Sequence, residues 1–398
     1  MRLEPAAVAD AVTSPVPVER APGDTVPAPD RWTSRLRSSY LFWPAAVYLA
    51  LRGLTLAALA VTDRFTHDSF GDQVYRWDGV WFVRAAVHGY PRHLPMAGAH
   101  VARSTIAFLP VFPGVVRWLS YATTVSPLVV AWVVSAATGL TATLAVGALV
   151  REWAGPGPAT RAAVFFAVFP GTFVFDLMYS EGIAITCLAL GLLALLRGRW
   201  WIAGVLGAVA TGTTPIALAF VLSCAWCAAA AVRQDRAWRA LVAPVLTPLG
   251  FLAYQGWLWV HTGQWNAWRL TERGGWQSYP SLVYPFHIVA TFVFDPLRPT
   301  QTGQLLMAGT VFTVVAAVLA VRQRQPTPVL LYGLAAAALA AVAAPVGLRP
   351  RFIMLAFPLV AAIGTRLHGR AYGAAVAASV CALGGMVALE FFTHRVFP

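Results

Sequence analysis

The feature that most constrains this chain is the placing of its arginines. Arg151 with Arg161, Arg197 with Arg199, the run from Arg233 to Arg239, Arg322 with Arg324, and Arg366 with Arg370 form five short basic clusters. Apolar stretches separate them, and roughly 20 apolar residues suffice to cross a bilayer as a helix. Short Arg-rich loops keep to the cytoplasmic side, so a chain with five of them must cross in pairs between them. Such pairs are present, at 162–178 with 181–196, 200–212 with 214–232, 238–260 with 304–322, and 326–345 with 350–366. Spans at 39–61 and 126–150 precede them and one at 372–392 follows, which makes eleven crossings. The 200–232 stretch admits two readings, two short arms or one long tilted helix.

Composition agrees. Hydrophobic residues make up 58% and charged residues 11%, against about 25% charge in a soluble chain. The fold class read from this is an all-α polytopic integral membrane protein. The net charge of +13 is carried without a single Lys, and no soluble domain is left to bind nucleic acid. Residues 1–37 are rich in Pro, Ala and Val without a sustained period, as in a disordered cytoplasmic tail, and 38–398 form the transmembrane domain. Arg31, Arg35 and Arg37 before the first span place the N-terminus inside. Arg52, within that span, should face protein or a wet cavity.

This topology gathers the distinctive polar residues on the extracytoplasmic side. They fall in a first loop at 62–104, a Tyr179-Ser180-Glu181 turn, a Gly212-Thr213-Thr214-Pro215 turn, a long loop at 261–303, and Leu348-Arg349-Pro350-Arg351-Phe352. In the first loop Trp77, Val80, Trp81, Val83 and Val87 repeat as one helical face and Gly89 supplies a stop. A juxtamembrane helix is predicted, with Asp78 in its first turn. Asp78 either complements the positive end of that helix or serves as a general base towards an acceptor hydroxyl. Asp68 and Asp72 are rivals in the same loop. No ligand spacing calls for a metal, and His88, His93 and His100 have no metal-like pattern. Glu181, close after Asp176, is a functional candidate as a carboxylate at a membrane boundary, or else a partner for Arg52 or another buried Arg. Arg349 and Arg351 could fork onto a lipid-linked phosphate or anchor headgroups. Trp257, Trp259, Trp265, Trp268 and Trp276 could stack on sugars or form an interfacial belt.

With these residues assembled, the chain resembles the PIG-V-type family, the relatives of GPI mannosyltransferase II found in bacteria as well as eukaryotes. The likeness runs from Arg76-Trp77-Asp78 to Gly89-Tyr90, through Ala107-Phe108-Leu109-Pro110 and Phe112-Pro113, to Tyr179-Ser180-Glu181. It ends at Arg349-Pro350-Arg351-Phe352 with Phe357-Pro358. The resemblance implies a GT-C glycosyltransferase fold with an outward-facing site and a polyprenyl-phosphate-linked sugar as donor. It implies inverting transfer of mannose from polyprenyl-phosphate mannose to a lipid or glycan acceptor. Asp78 is then the catalytic position. Arg76, Trp77, Trp81, Arg84, His88, Tyr90, Tyr179, Glu181, Thr213, Thr214, Arg349 and Arg351 are the substrate-binding candidates. Two departures from the family pattern stand out: Thr213-Thr214, where relatives often carry Arg with Pro or Ser, and Pro91-Arg92-His93, where an acidic residue is missing. Membrane lipids and a membrane-protein partner complete the expected company.

Two other functions compete. A lipid or sugar transporter would show an internal repeat and polar residues lining a path at mid-membrane. A catalytically silent homologue supporting a partner enzyme would seal Asp78 against an Arg with no cavity beside it, whereas a cavity opening sideways to lipid beside Asp78 would favour the enzyme.

Overall fold

The computed structural model of the protein describes residues 31–65, 70–294 and 301–389. Residues 1–30 of the expected tail, Asp68, and the end of the span expected at 372–392 lie outside these, as do the side chains of Asp63 and Asp72.

From Arg31 the backbone is helical. The helix α1 (Arg31–Phe65) carries the first span as Tyr40–Val61. The stretch after it, expected to be the first external loop, holds α2 (Phe70–Val74), α3 (Asp78–His88) and a hairpin of β1 (Met96–Ala97) with β2 (His100–Val101). A 3-10 turn at Thr105–Ala107 leads to α4 (Val111–Thr123) and then to the long α5 (Pro127–Ala154). The next span is bent by 66° between α6 (Pro156–Ala167) and a 3-10 segment at Pro170–Asp176. Pro170 explains the break, because its ring bars the preceding residue from helical geometry.

After α7 (Glu181–Leu196) come α8 (Trp200–Thr211) and α9 (Ala219–Asp235). The 200–232 stretch is therefore two arms, parted at Gly212–Thr214 ahead of Pro215. A second bent span, at 47°, joins α10 (Val242–Leu246) with the turn before it to α11 (Leu249–Thr262). The loop expected at 261–303 is only partly a loop. It contains α12 (Ala267–Gly275), β3 (Tyr279–Pro280) and an apolar helix, α13 (Tyr284–Phe294), of 11 residues. That run is too short to cross a bilayer, so it left no signal of a span in the sequence. The chain closes with α14 (Gln301–Arg322), α15 (Thr327–Val342), β4 (Ala343–Ala344), α16 (Pro350–Leu355), α17 (Phe357–Arg366) and α18 (Gly369–Ala388).

Among the described residues five helices are long and apolar enough to cross a membrane, or seven with each bent pair counted as one span. The remaining expected crossings are the shorter α7, α8 and α15 and the α16–α17 pair. Inside the bundle α5 packs on α7, α7 on α8, α6 on α17 and α9 on α15. Small buried residues such as Ala142, Ala145, Ala162, Ala189 and Ala203 let these helices approach closely. Close packing of this kind drives helix association where lipid removes the hydrophobic drive.

A second, smaller core sits under the loops and fixes their position. Ile106, Leu109, Tyr254, Leu258 and Ala267 are buried together, with Tyr90, Leu94, Phe251 and Trp268 against them. The Tyr254 hydroxyl donates to the Ile106 carbonyl at 2.8 Å and the Trp268 indole to the Ala107 carbonyl at 3.2 Å. β3 pairs antiparallel with β4, tying the same loop to the segment that leads into α16.

Candidate active site

Three stretches far apart in sequence meet at one arginine. Asp78 opens α3, as the periodicity of its Trp and Val residues predicts. The helix ends at Gly89, whose φ of 74° is readily adopted only by glycine, with its N–H on the Ala85 carbonyl. Glu181 opens α7 after the Pro170–Asp176 segment. Arg351 lies in the first turn of α16, where Pro350 takes the N-terminal position that needs no donor. Gly171 brings α16 against the 3-10 segment: a Cβ there would lie 2.2 Å from the Pro350 carbonyl oxygen.

Arg351 bridges the two acids. Its Nη1 donates to Asp78 Oδ2 at 2.5 Å, and its Nε donates to Glu181 Oε1. The guanidinium also lies over the Tyr179 ring, 4.4 Å from the centroid, as a cation–π contact. The Tyr179 hydroxyl accepts the Asp78 backbone N–H at 3.3 Å. Side-chain exposure is 17% for Asp78, 9% for Arg351 and 4% for Glu181, so Asp78 is the acid that solvent or substrate can reach. Asp78 Oδ1 takes no part in these bonds. Glu181 Oε2 is buried and has no hydrogen-bond partner among the described residues.

Trp77, directly before Asp78, has φ 50° and ψ −126°. A bulky residue at positive φ is strained, and such strain collects where a fold over-determines a functional residue. Arg349 is half-buried and lies close enough to Asp78 and Arg351 to feel both charges. Burial, with Arg351 adding to it, holds its pKa below the usual arginine value.

The other sequence candidates are placed differently. Trp81 packs edge-on against Trp276, with ring centroids 5.5 Å apart, and carries the Arg84 guanidinium over its own ring at 5.1 Å. His88 is exposed, and Arg76 is half-buried. The Tyr90 hydroxyl donates to the Phe108 carbonyl at 3.0 Å, which makes that phenol part of the loop core. The Thr213 hydroxyl bonds the Val209 carbonyl at 2.8 Å. Neither Tyr90 nor Thr213 joins the Asp78–Glu181–Arg351 cluster. Trp257, Trp259 and Trp265 are all exposed, and Trp257 stacks on His261 with centroids 4.4 Å apart.

Asp176 and Glu181 go to different arginines. Asp176 Oδ2 accepts Arg52 Nη1 at 2.6 Å within a sealed cluster, where exposure is 7% for Arg52 and 3% for Asp176. Arg52 Nη1 also donates to the Thr172 carbonyl at 2.9 Å.

Sequence reasoning passed over Glu272, on α12. Burial, with the Asp78 carboxylate adding to it, pushes its carboxyl up to about 8. Its one sequence signal was Trp276 one turn further on, in the Trp-rich loop already singled out.

No family model matches this chain, and no curated protein matches it. Among solved structures, ArnT from Cupriavidus metallidurans bound to undecaprenyl phosphate aligns with 90% of this chain and 64% of its own, at 15% identity and a TM-score of 0.51. The apo state of that protein aligns with 76% of this chain and 57% of its own, at 15% identity and a TM-score of 0.49. The apo oligosaccharyltransferase of Archaeoglobus fulgidus aligns with 91% of this chain and 55% of its own, at 15% identity and a TM-score of 0.49. The chain thus spans less than two thirds of the length of these proteins, and its likeness to the lipid-bound ArnT structure is one of fold. That fold is an all-α polytopic membrane protein of the GT-C type.

Proposed function

We propose that the protein is a membrane glycosyltransferase of the PIG-V-like kind, with its site on the extracytoplasmic face and its N-terminus in the cytoplasm. It moves mannose from polyprenyl-phosphate mannose to a hydroxyl of a lipid or glycan acceptor. The observation that carries this reading is Asp78 held through one oxygen by Arg351 while the other oxygen is left to a substrate. The ArnT structure with undecaprenyl phosphate supports the carrier class, since a protein of the same fold holds that lipid.

In this mechanism the acceptor oxygen bonds to C1 of the sugar on the face opposite the phosphate. Its proton passes to Asp78 Oδ1. The C1–O bond to phosphate breaks, and the electron pair leaves on the phosphate oxygen. Arg351, engaged by Asp78 and Glu181, orients the base, and we assign the phosphate to the neighbouring Arg349. A half-buried cation beside a second cation gains from an incoming anion, and more so as charge develops on the leaving group.

A silent homologue is the second reading, and the Asp78–Arg351 pair is the observation in its favour. The greater exposure of Asp78 and the strained Trp77 favour the enzyme. The test supplies membranes containing the protein with labelled polyprenyl-phosphate mannose, and in parallel with other polyprenyl-phosphate sugars and nucleotide sugars. Label should move to a lipid or glycan from the mannose donor alone. Transfer from a different donor corrects the sugar, and no transfer from any donor by folded protein moves the reading to the silent homologue.

A further inference from the structure

We propose that Tyr179 is a positioning residue of the site: its hydroxyl holds the main chain of Asp78 and its ring holds Arg351, so that one buried side chain aims the base. The consequence for turnover rests on the transferase reading above; the hold on Asp78 does not.

α3 begins without a cap of its own. The first N–H groups of a helix have no partner inside it, and a Ser, Thr, Asp or Asn at the N-cap commonly supplies one. Here the N-cap is Trp77, turned to φ 50°, and among the described residues it makes no side-chain cap bond. The Asp78 N–H goes instead to the Tyr179 hydroxyl at 3.3 Å, from a residue 101 positions away. The cap of the helix that carries the base thus comes from another part of the fold.

The same side chain sets the cation. The Arg351 guanidinium lies 4.4 Å from the Tyr179 ring centroid, and its Nη1 donates to Asp78 Oδ2 at 2.5 Å. The contacts form a closed circuit, from the Asp78 N–H to the Tyr179 hydroxyl, from its ring to Arg351, and from Arg351 back to the Asp78 carboxylate. Main chain and one carboxylate oxygen are fixed together, and the direction of Oδ1 follows from them. Holding a reacting group in line in this way is worth rate, and small misplacements are costly.

Tyr179 can aim Asp78 because it is anchored itself. Its N–H donates to Ser135 Oγ on α5 at 3.3 Å. Three residues on, Gly182 lies so close to α5 that a Cβ there would overlap Thr138. From the other side, the Phe82 ring of α3 packs on the Tyr179 ring with centroids 6.2 Å apart, and a Cβ on Gly79 would touch Met178 at 3.4 Å. The first turn of α3 therefore rests on a segment tied to the bundle. Tyr179 is fully buried, so it acts through Asp78 and Arg351 and not on a substrate, in contrast to the binding role that the resemblance implies.

The test uses the full chain in lipid nanodiscs and Tyr179→Phe, which keeps the ring over Arg351 and loses the hydroxyl. Amide hydrogen exchange read at single residues should quicken about tenfold at Asp78, as for one lost hydrogen bond, and stay as in the wild type at Phe82 and Val83. With labelled polyprenyl-phosphate mannose, kcat should fall about tenfold while KM for the donor holds. In an Asp78→Asn background the same change should slow residual transfer no further, because the side chain it acts through is already lost. Tyr179→Leu, which removes the ring as well, should lose more than Tyr179→Phe. Exchange at Asp78 unchanged in Tyr179→Phe, a raised KM with kcat intact, or an equal fractional loss in the Asp78→Asn background overturns the proposal. If the wild type transfers nothing while exchange at Asp78 still quickens in Tyr179→Phe, the transferase reading fails and Tyr179 stands as the residue that holds Asp78.

Discussion

Among the described residues two buried arginines hold carboxylates, and the two clusters are built to different ends. Arg52 and Asp176 join α1 to the bent span within the bundle, both nearly inaccessible, and Arg52 takes a backbone carbonyl as well. Arg351 holds Asp78 and Glu181 where three segments end, next to a strained Trp77 and a spare Glu181 oxygen, with Asp78 partly open. The same residue types thus make a staple in one place and a poised site in the other. What separates them is accessibility, not chemistry, since Arg52 too has buried nitrogens, Nε and Nη2, without a hydrogen-bond partner among the described residues.

The comparison predicts opposite outcomes for two equal changes. Asp78→Asn should lower transfer about a thousandfold, the scale of a lost general base, with little change in thermal unfolding. Asp176→Asn should leave Arg52 buried without its counter-charge and cost about 3–5 kcal/mol of stability, while the protein that remains folded transfers normally. Melting curves and label transfer on the same samples check both, and matching behaviour of the two variants would erase the distinction.

Arg351→Lys sharpens the picture, since an ammonium cannot reproduce the fork that reaches two carboxylates at once. Transfer should fall roughly a hundredfold, with donor affinity kept if the phosphate sits on Arg349 as proposed; a loss of donor binding would move the phosphate to Arg351. Glu181→Gln removes one of the two charges that hold Arg351. A decrease in turnover of about tenfold is expected, the value of one charged hydrogen bond, read from initial rates at saturating donor.

The smallest effect concerns pH. Glu272 titrates about 8 when folded and about 4.3 when unfolded. Its contribution to stability is therefore fully present below the unfolded value and is lost as pH rises through the folded one. Glu272→Gln should melt higher than the wild type at pH 9 and gain little at pH 4. A gain of equal size at both pH values would mean that the carboxyl is not the cause.

Much of the fold was legible because Arg-rich loops and apolar runs are local signals. α3 begins at Asp78 and ends at Gly89, where the Trp/Val periodicity and the glycine placed it, and α7 fills the predicted 181–196. The bend at Pro170 and the short α13 were less legible, since a run of hydrophobic residues does not report how it is broken. The site was legible as a set of residues and illegible as a set of pairs. Asp176 and Glu181 both lie near one turn, and nothing in the sequence says that one reaches Arg52 and the other Arg351, 170 residues away. Glu272 was missed for the same reason, because nothing in its own stretch of sequence reports its burial or the charge of the distant Asp78.

The most direct measurement is single-turnover transfer by purified protein in nanodiscs, with labelled polyprenyl-phosphate mannose and acceptor both saturating. Asp78→Asn should bind the donor as tightly as the wild type yet form product about a thousandfold more slowly. Equal single-turnover rates in the two proteins would contradict Asp78 as the base and leave the Arg351 cluster a second staple.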